Sequence, residues 1–92
     1  MISILDKWFK HKLHRKIFAV TKGLFLGEML VFIKEEGSNY CFLSLPTCIN
    51  RKIPKEKFDF GIKNGILDFV ETSPRDVYKV TVKQYQKNES NN

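Results

Sequence analysis

Two short apolar runs flanking a polar turn constrain this chain most. Met29-Leu30-Val31-Phe32-Ile33 and Tyr40-Cys41-Phe42-Leu43-Ser44-Leu45 stand on either side of Glu35-Glu36-Gly37-Ser38-Asn39. Each run has strand length and β-favouring composition, and the turn between them is polar with a central glycine. The pair reads as a β-hairpin with a loop of about five residues, ended by Pro46. A hairpin alone cannot bury its apolar face, so other elements must cover it.

The flanking sequence supplies candidates. Ser3 to Ile17 reads as an amphipathic helix. Ile4, Leu5, Trp8, Phe9, Leu13 and Ile17 share one face, and Lys7, Lys10, His11, His14 and Arg15 share the other. Ser3 with Asp6 forms a capping-box-like start. Phe18 to Thr21 fits a short strand. Thr47 to Lys52 reads as a connector, after which Pro54 opens a helix whose apolar face is Phe58, Ile62, Ile66, Phe69 and Val70. Gly61 and Gly65 each weaken that helix by roughly 1 kcal/mol relative to alanine and open room for a neighbouring element. The last segment fits two patterns. Ser73-Pro74-Arg75-Asp76 resembles a helix start, and Val77, Tyr78, Thr81, Val82 and Tyr85 share a helical face. Tyr78, Val80 and Val82 also alternate as in a strand. We favour the helix.

The expected architecture is therefore α+β. It has an N-terminal amphipathic helix, a small antiparallel sheet around the central hairpin, and one or two C-terminal helices. Its 92 residues make one domain, expected over 1–87, with 88–92 as a frayed polar tail.

Charge is segregated along the chain. The formal net charge is +6, and Lys7 to Lys22 carries Lys7, Lys10, Lys12, Arg15, Lys16 and Lys22 with no acid. Arg51, Lys52, Lys55 and Lys57 form a second block. The stretch between them, Gly23 to Asn50, has Glu28, Glu35 and Glu36 against Lys34 alone. Segregated positive charge attracts polyanions. If the last segment is helical, Lys79, Lys83 and Lys87 add a stripe at i, i+4 and i+8. Lysine outnumbers arginine, which fits phosphate attraction more than base readout. The candidate nucleic-acid contacts are Lys7, Lys10, Lys12, Arg15, Lys16, Arg51, Lys52, Lys55, Lys57, Lys79 and Lys83. Tyr40, Tyr78 and Tyr85 are candidate stacking groups.

Other chemistries find less support. His11 and His14 are spaced like metal ligands, but the lysines around them would repel a cation, so no metal or cofactor is expected. Cys41 lies in an apolar strand, as a small buried side chain would, and Cys48 lacks the spacing for a metal pair. Two cysteines do not make a disulfide scaffold, and both are read as reduced. Gly61-Ile62-Lys63-Asn64-Gly65 is not a P-loop. The apolar stretch Leu24 to Ile33 is broken by Gly27 and Glu28 and falls short of the roughly 20 residues a membrane span needs. Neither secretion nor enzyme activity is expected.

The stretch Ile53-Pro54-Lys55-Glu56-Lys57-Phe58-Asp59-Phe60-Gly61-Ile62 continues through Gly65-Ile66-Leu67-Asp68-Phe69-Val70-Glu71 to Pro74-Arg75-Asp76-Val77-Tyr78. It resembles the small accessory proteins of T-even phages, and among them the toxin-inhibitory factors that counter type III toxin–antitoxin systems. The resemblance implies a counter-defence protein in the host cytoplasm that blocks a toxin endoribonuclease, with RNA in the complex. The expected partners are RNA and a host toxin. The alternative is a protein-only module that docks its basic face on an acidic partner or a membrane surface. An exposed strand edge would also let two copies pair.

Overall fold

The computed structural model describes residues 11–90. Five strands form one antiparallel sheet in the order β4-β3-β2-β1-β5. They are β1 (Lys16–Val20), β2 (Met29–Glu36), β3 (Asn39–Leu45), β4 (Ile49–Pro54) and β5 (Leu67–Thr72). Helix α1 (Lys55–Lys63) joins β4 to β5, and helix α2 (Arg75–Ser90) follows β5.

Strand β3 lies between edge strand β4 and the central β2, and Tyr40 to Ser44 are all buried. Alternate strand residues point to opposite faces, so both faces of β3 need cover. Tyr40 and Phe42 meet Phe58 of α1, with ring centroids 5.2 and 5.7 Å away. On the other face Cys41 and Leu43 pack with Tyr85 of α2. The helices therefore lie on opposite sides of the sheet. The larger core, with Phe18, Val20, Leu30, Phe32 and Leu67, lies on the α1 side.

A β-bulge in β2 sets this arrangement. Phe32 pairs with Phe42 and Lys34 with Cys41, so Ile33 is the extra residue. The bulge disturbs the ladder beside the Phe32 and Ile33 carbonyls. The buried Tyr78 hydroxyl donates to both, at 2.9 and 3.3 Å. Burial pushes the Tyr78 phenol above its ordinary pKa, which keeps the proton it donates.

The hairpin loop is Gly37-Ser38 rather than five residues, and residues 88–90 of the expected tail are helical. The sheet and helices also differ from the sequence expectation in three larger ways. First, residues 3–10 of the expected N-terminal helix lie outside the described residues, and residues 11–17 are not helical. Residues 12–15 form a turn, closed by the His14 N–H on the His11 carbonyl at 2.9 Å. The His11 Nδ1 accepts the Leu13 N–H at 3.0 Å, and a local side-chain bond of this kind competes with helix. Arg15 then takes a positive φ of 62°, which ends any helical course, and Lys16 opens β1.

Second, the connector after Pro46 is largely a strand. Its residues pair with β3 from Ser44↔Ile49 to Asn39↔Pro54. This is an edge strand, and its central residues, Asn50, Arg51 and Lys52, carry no apolar alternation to reveal it.

Third, the helix expected to run through Val70 stops at Lys63. Gly65 has φ +71°, the Gly65 N–H reaches the Ile62 carbonyl at 3.4 Å, and the Ile66 N–H reaches the Gly61 carbonyl at 2.8 Å. This is a Schellman ending with glycine at C′. Phe69 and Val70 belong to β5 instead. Gly61 does allow close approach: a Cβ there would stand 3.0 Å from Leu67 Cδ1.

The final segment is helical, and Tyr78, Thr81 and Tyr85 are its buried face. Near its end, the Asn88 amide donates to the Cys48 carbonyl and to Asn50 Oδ1, each at 2.8 Å. No helix among the described residues is long and apolar enough to cross a membrane.

The Tyr78 contact is directly testable. Tyr78→Phe keeps the ring and strands two bulge carbonyls without their donor. The unfolding free energy in urea is expected to fall by about 1–2 kcal/mol. An unchanged midpoint would show that the hydroxyl does not hold the bulge.

Candidate nucleic-acid interface

β-Strand pairing brings the acidic middle of the chain against the basic block that follows it. Glu28, which leads into β2, meets Arg51 of β4 in a two-point contact. Arg51 Nη2 donates to Glu28 Oε2 at 2.9 Å and Nε donates to Oε1 at 3.2 Å. The Ser44 hydroxyl donates to the same carboxylate at 2.7 Å. Lys52 pairs with Glu36 at 2.8 Å, and Lys55 pairs with Glu35. His11 Nε2 also meets Glu35, at 2.7 Å, while the imidazole stacks on Phe32. Arg51, Lys52 and Lys55 are thus each matched by a carboxylate. They do not form a free cationic patch.

The three glutamates respond as their partners require. The Arg51 guanidinium and then the Ser44 hydroxyl hold Glu28 below its ordinary 4.5, against the opposing effect of burial. Lys55, with His11, lowers Glu35, and Lys52, with Lys34, lowers Glu36. The Glu28–Arg51 pair is the sheltered one, with side chains 14% and 25% exposed. Pairs this sheltered contribute more than exposed ones.

Two further groups of lysines lie on opposite sides of the sheet. Lys79 and Lys83, with Lys87, line the outward side of α2. Lys12, Lys16, Lys22, Lys57 and Lys63 surround α1 and make no ion pair among the described residues. Sequence reading places Lys22 in the first basic block without selecting it as a contact, and does not select Lys63. Their signal was three-dimensional, since only the crossover of α1 brings residues 12–22 beside residues 57–63. Arg15 lies in the turn before β1, where its carbonyl accepts the Ser73 N–H at 2.7 Å. Lys7 and Lys10 lie outside the described residues.

The geometry of α1 explains the shape of this face. Strands β4 and β5 lie at opposite edges of the sheet, four strand spacings apart, or about 19 Å. Nine helical residues span only about 13 Å, and Asn64 to Ile66 complete the crossing. So short a helix cannot roof the sheet, and it leaves a groove on each side. One groove, about 510 Å³, has Lys12, Lys16 and Lys63 around Leu13, Phe58 and Phe69, together with Asp59 and Asp68. The other, about 530 Å³, lies between α1 and the β1–β2 connection. It is lined by apolar side chains with Lys22, Lys57 and the Glu36-paired Lys52 beside them and contains no acid. Phe60 and Phe69 are 60% and 53% exposed, and the Lys16 ammonium lies 5.5 Å from the Phe69 centroid.

The stacking candidates chosen from sequence are placed otherwise. Tyr40, Tyr78 and Tyr85 are buried. Of the other candidate groups, Cys41 is buried and Cys48 is exposed in the turn after Pro46. Among the described residues no three His, Cys, Asp or Glu side chains are grouped to hold a metal. No protein family, curated protein or solved structure matches the chain.

The Glu28–Arg51 contact fixes a pH dependence. Its carboxyl is depressed in the folded state, so the stabilisation is complete above the ordinary 4.5 and fades as pH falls through the lower folded value. Glu28→Gln is expected to cost about 1–2 kcal/mol at pH 7. It should also flatten the loss of stability below pH 4.5. Parallel pH profiles for the two proteins would contradict this.

Proposed function

We propose that this protein is a non-enzymatic RNA-binding protein that holds single-stranded RNA across its α1 face. The observation that carries this reading is the set of lysines around α1, Lys12, Lys16, Lys22, Lys57 and Lys63, beside the exposed rings of Phe60 and Phe69. Lysines unmatched by carboxylates draw phosphates and release counterions, and exposed rings offer stacking surfaces to unpaired bases. No base-edge reader is needed for such binding.

The resemblance of residues 53–78 to phage toxin-inhibitory factors supplies a setting. In that setting the protein acts in the host cytoplasm and blocks a toxin endoribonuclease within a ribonucleoprotein complex. The opposite side of the sheet then offers a surface to the toxin. There Val77 and Val80 of α2 are 51% and 67% exposed beside Lys79 and Lys83. The mechanism is occlusion: one face retains RNA while the other covers the enzyme.

Anisotropy of labelled single-stranded RNA tests the RNA half of this reading. Affinity should fall with salt by a log–log slope of about −0.7 per phosphate held. The double variant Lys57→Glu with Lys63→Glu should bind at least roughly tenfold more weakly and lose about 1.4 from the magnitude of that slope. Lys79→Glu with Lys83→Glu should bind within about twofold of the parent. Equal affinity in the α1 variant, or a larger loss in the α2 variant, would contradict the reading.

A further inference from the structure

We infer that the groove between α1 and the β1–β2 connection holds an unstacked nucleobase of the bound strand, with the flanking phosphates on Lys22 and Lys57. This rests on the RNA-binding reading above and names the part of the strand that the site recognises. The floor is Leu30 and Leu67, and the walls are Leu24 and Phe25 on one side and Phe60 on the other. A volume of about 530 Å³ is within the range of sites that take small organic groups.

The lining chemistry fits a base. Leu24 is 89% exposed and Phe60 60%, so an apolar, flat occupant would cover surface that water now wets. Lys22 and Lys57 are exposed beside the groove, with Lys52, which Glu36 pairs, at its rim, and no carboxylate lines it. An apolar slot flanked by positive charge is complementary to a π-face carried on an anionic backbone. Apart from the lysines, the side chains of the lining offer no hydrogen-bonding group, so any of the four bases fits. The site therefore tells single strands from duplexes without reading sequence, because a paired base is not free to enter.

The slot is built before any ligand arrives. The Arg51 guanidinium lies 4.1 Å from the Phe25 ring centroid and is itself fixed by Glu28. The Val20 N–H donates to the Glu28 carbonyl at 2.9 Å, and the Gly27 N–H donates to the Val20 carbonyl at 3.0 Å. These bonds tie the base of the connection to β1. Across the groove, Gly61 brings α1 close to Leu67, where a side chain would push the two apart. The matched Arg51 thus serves as a strut for the Phe25 wall rather than as a phosphate contact.

The test compares an oligouridine RNA with an all-abasic oligomer of equal length and charge, by anisotropy at one salt concentration. The abasic oligomer should bind about tenfold more weakly, as loss of one stacked base requires. Phe60→Ala and Leu24→Ala change exposed side chains, so the fold should survive, as circular dichroism would verify. Each variant should weaken oligouridine severalfold and leave the abasic oligomer unchanged. Equal binding of both oligomers by the parent protein would overturn the base slot and leave the RNA reading standing. So would wild-type affinity for oligouridine in both alanine variants. No binding of oligouridine by the parent protein would overturn both.

Discussion

Burial of β3 on both faces is the constraint from which the rest of this structure follows. Tyr40 to Ser44 cannot be covered by one layer, so the chain must lay something on each side of the sheet. It does so with two helices of unequal length. Helix α2 crosses below β3 with Tyr78, Thr81 and Tyr85 inward, and its first tyrosine also satisfies the bulge in β2. Helix α1 has nine residues and must connect opposite sheet edges. It seals the centre through Phe58 and leaves the flanks open. The grooves of the candidate site are a consequence of that shortfall.

The electrostatic arrangement follows from the same pairing. Glu28, Glu35 and Glu36 lie on or beside β2, and Arg51, Lys52 and Lys55 lie on or beside β4. Strand β3 separates β2 from β4, which is near enough for long side chains to reach across. Segregated charge in the sequence therefore becomes matched charge in the fold. What stays unmatched is set by the crossover, which carries Lys57 and Lys63 past the turn, the start of β1 and the loop that hold Lys12, Lys16 and Lys22.

The central hairpin, the short strand after residue 17 and the C-terminal helix were legible from period and composition. The helix following Pro54 was legible at its start but not at its end. Gly65 reads as a propensity penalty, whereas this left-handed glycine terminates the helix and frees Phe69 and Val70 for β5. Strand β4 was hidden because its polar middle looked like a basic patch. The turn before β1 was hidden because Leu13 and Ile17 happen to fit a helical face. Of the lysines around α1, Lys12, Lys16 and Lys57 are among the contacts expected from sequence, Lys22 belongs to the first basic block, and Lys63 has no local signal. Sequence reading also selects Arg51, Lys52 and Lys55, whose carboxylate partners stand 16 to 23 residues earlier in the chain. No local pattern encodes contacts at that separation.

The most direct test of this account is to map a bound single strand on the ¹⁵N-labelled protein by amide chemical-shift perturbation. The account predicts perturbations concentrated on residues 12–16, 22–25 and 57–63, with Lys55, Lys79 and Lys83 little changed. Perturbations centred on Lys55 and Glu35, or along the outer side of α2, would contradict the claim that strand pairing neutralises the second basic block and leaves α1 as the cationic face.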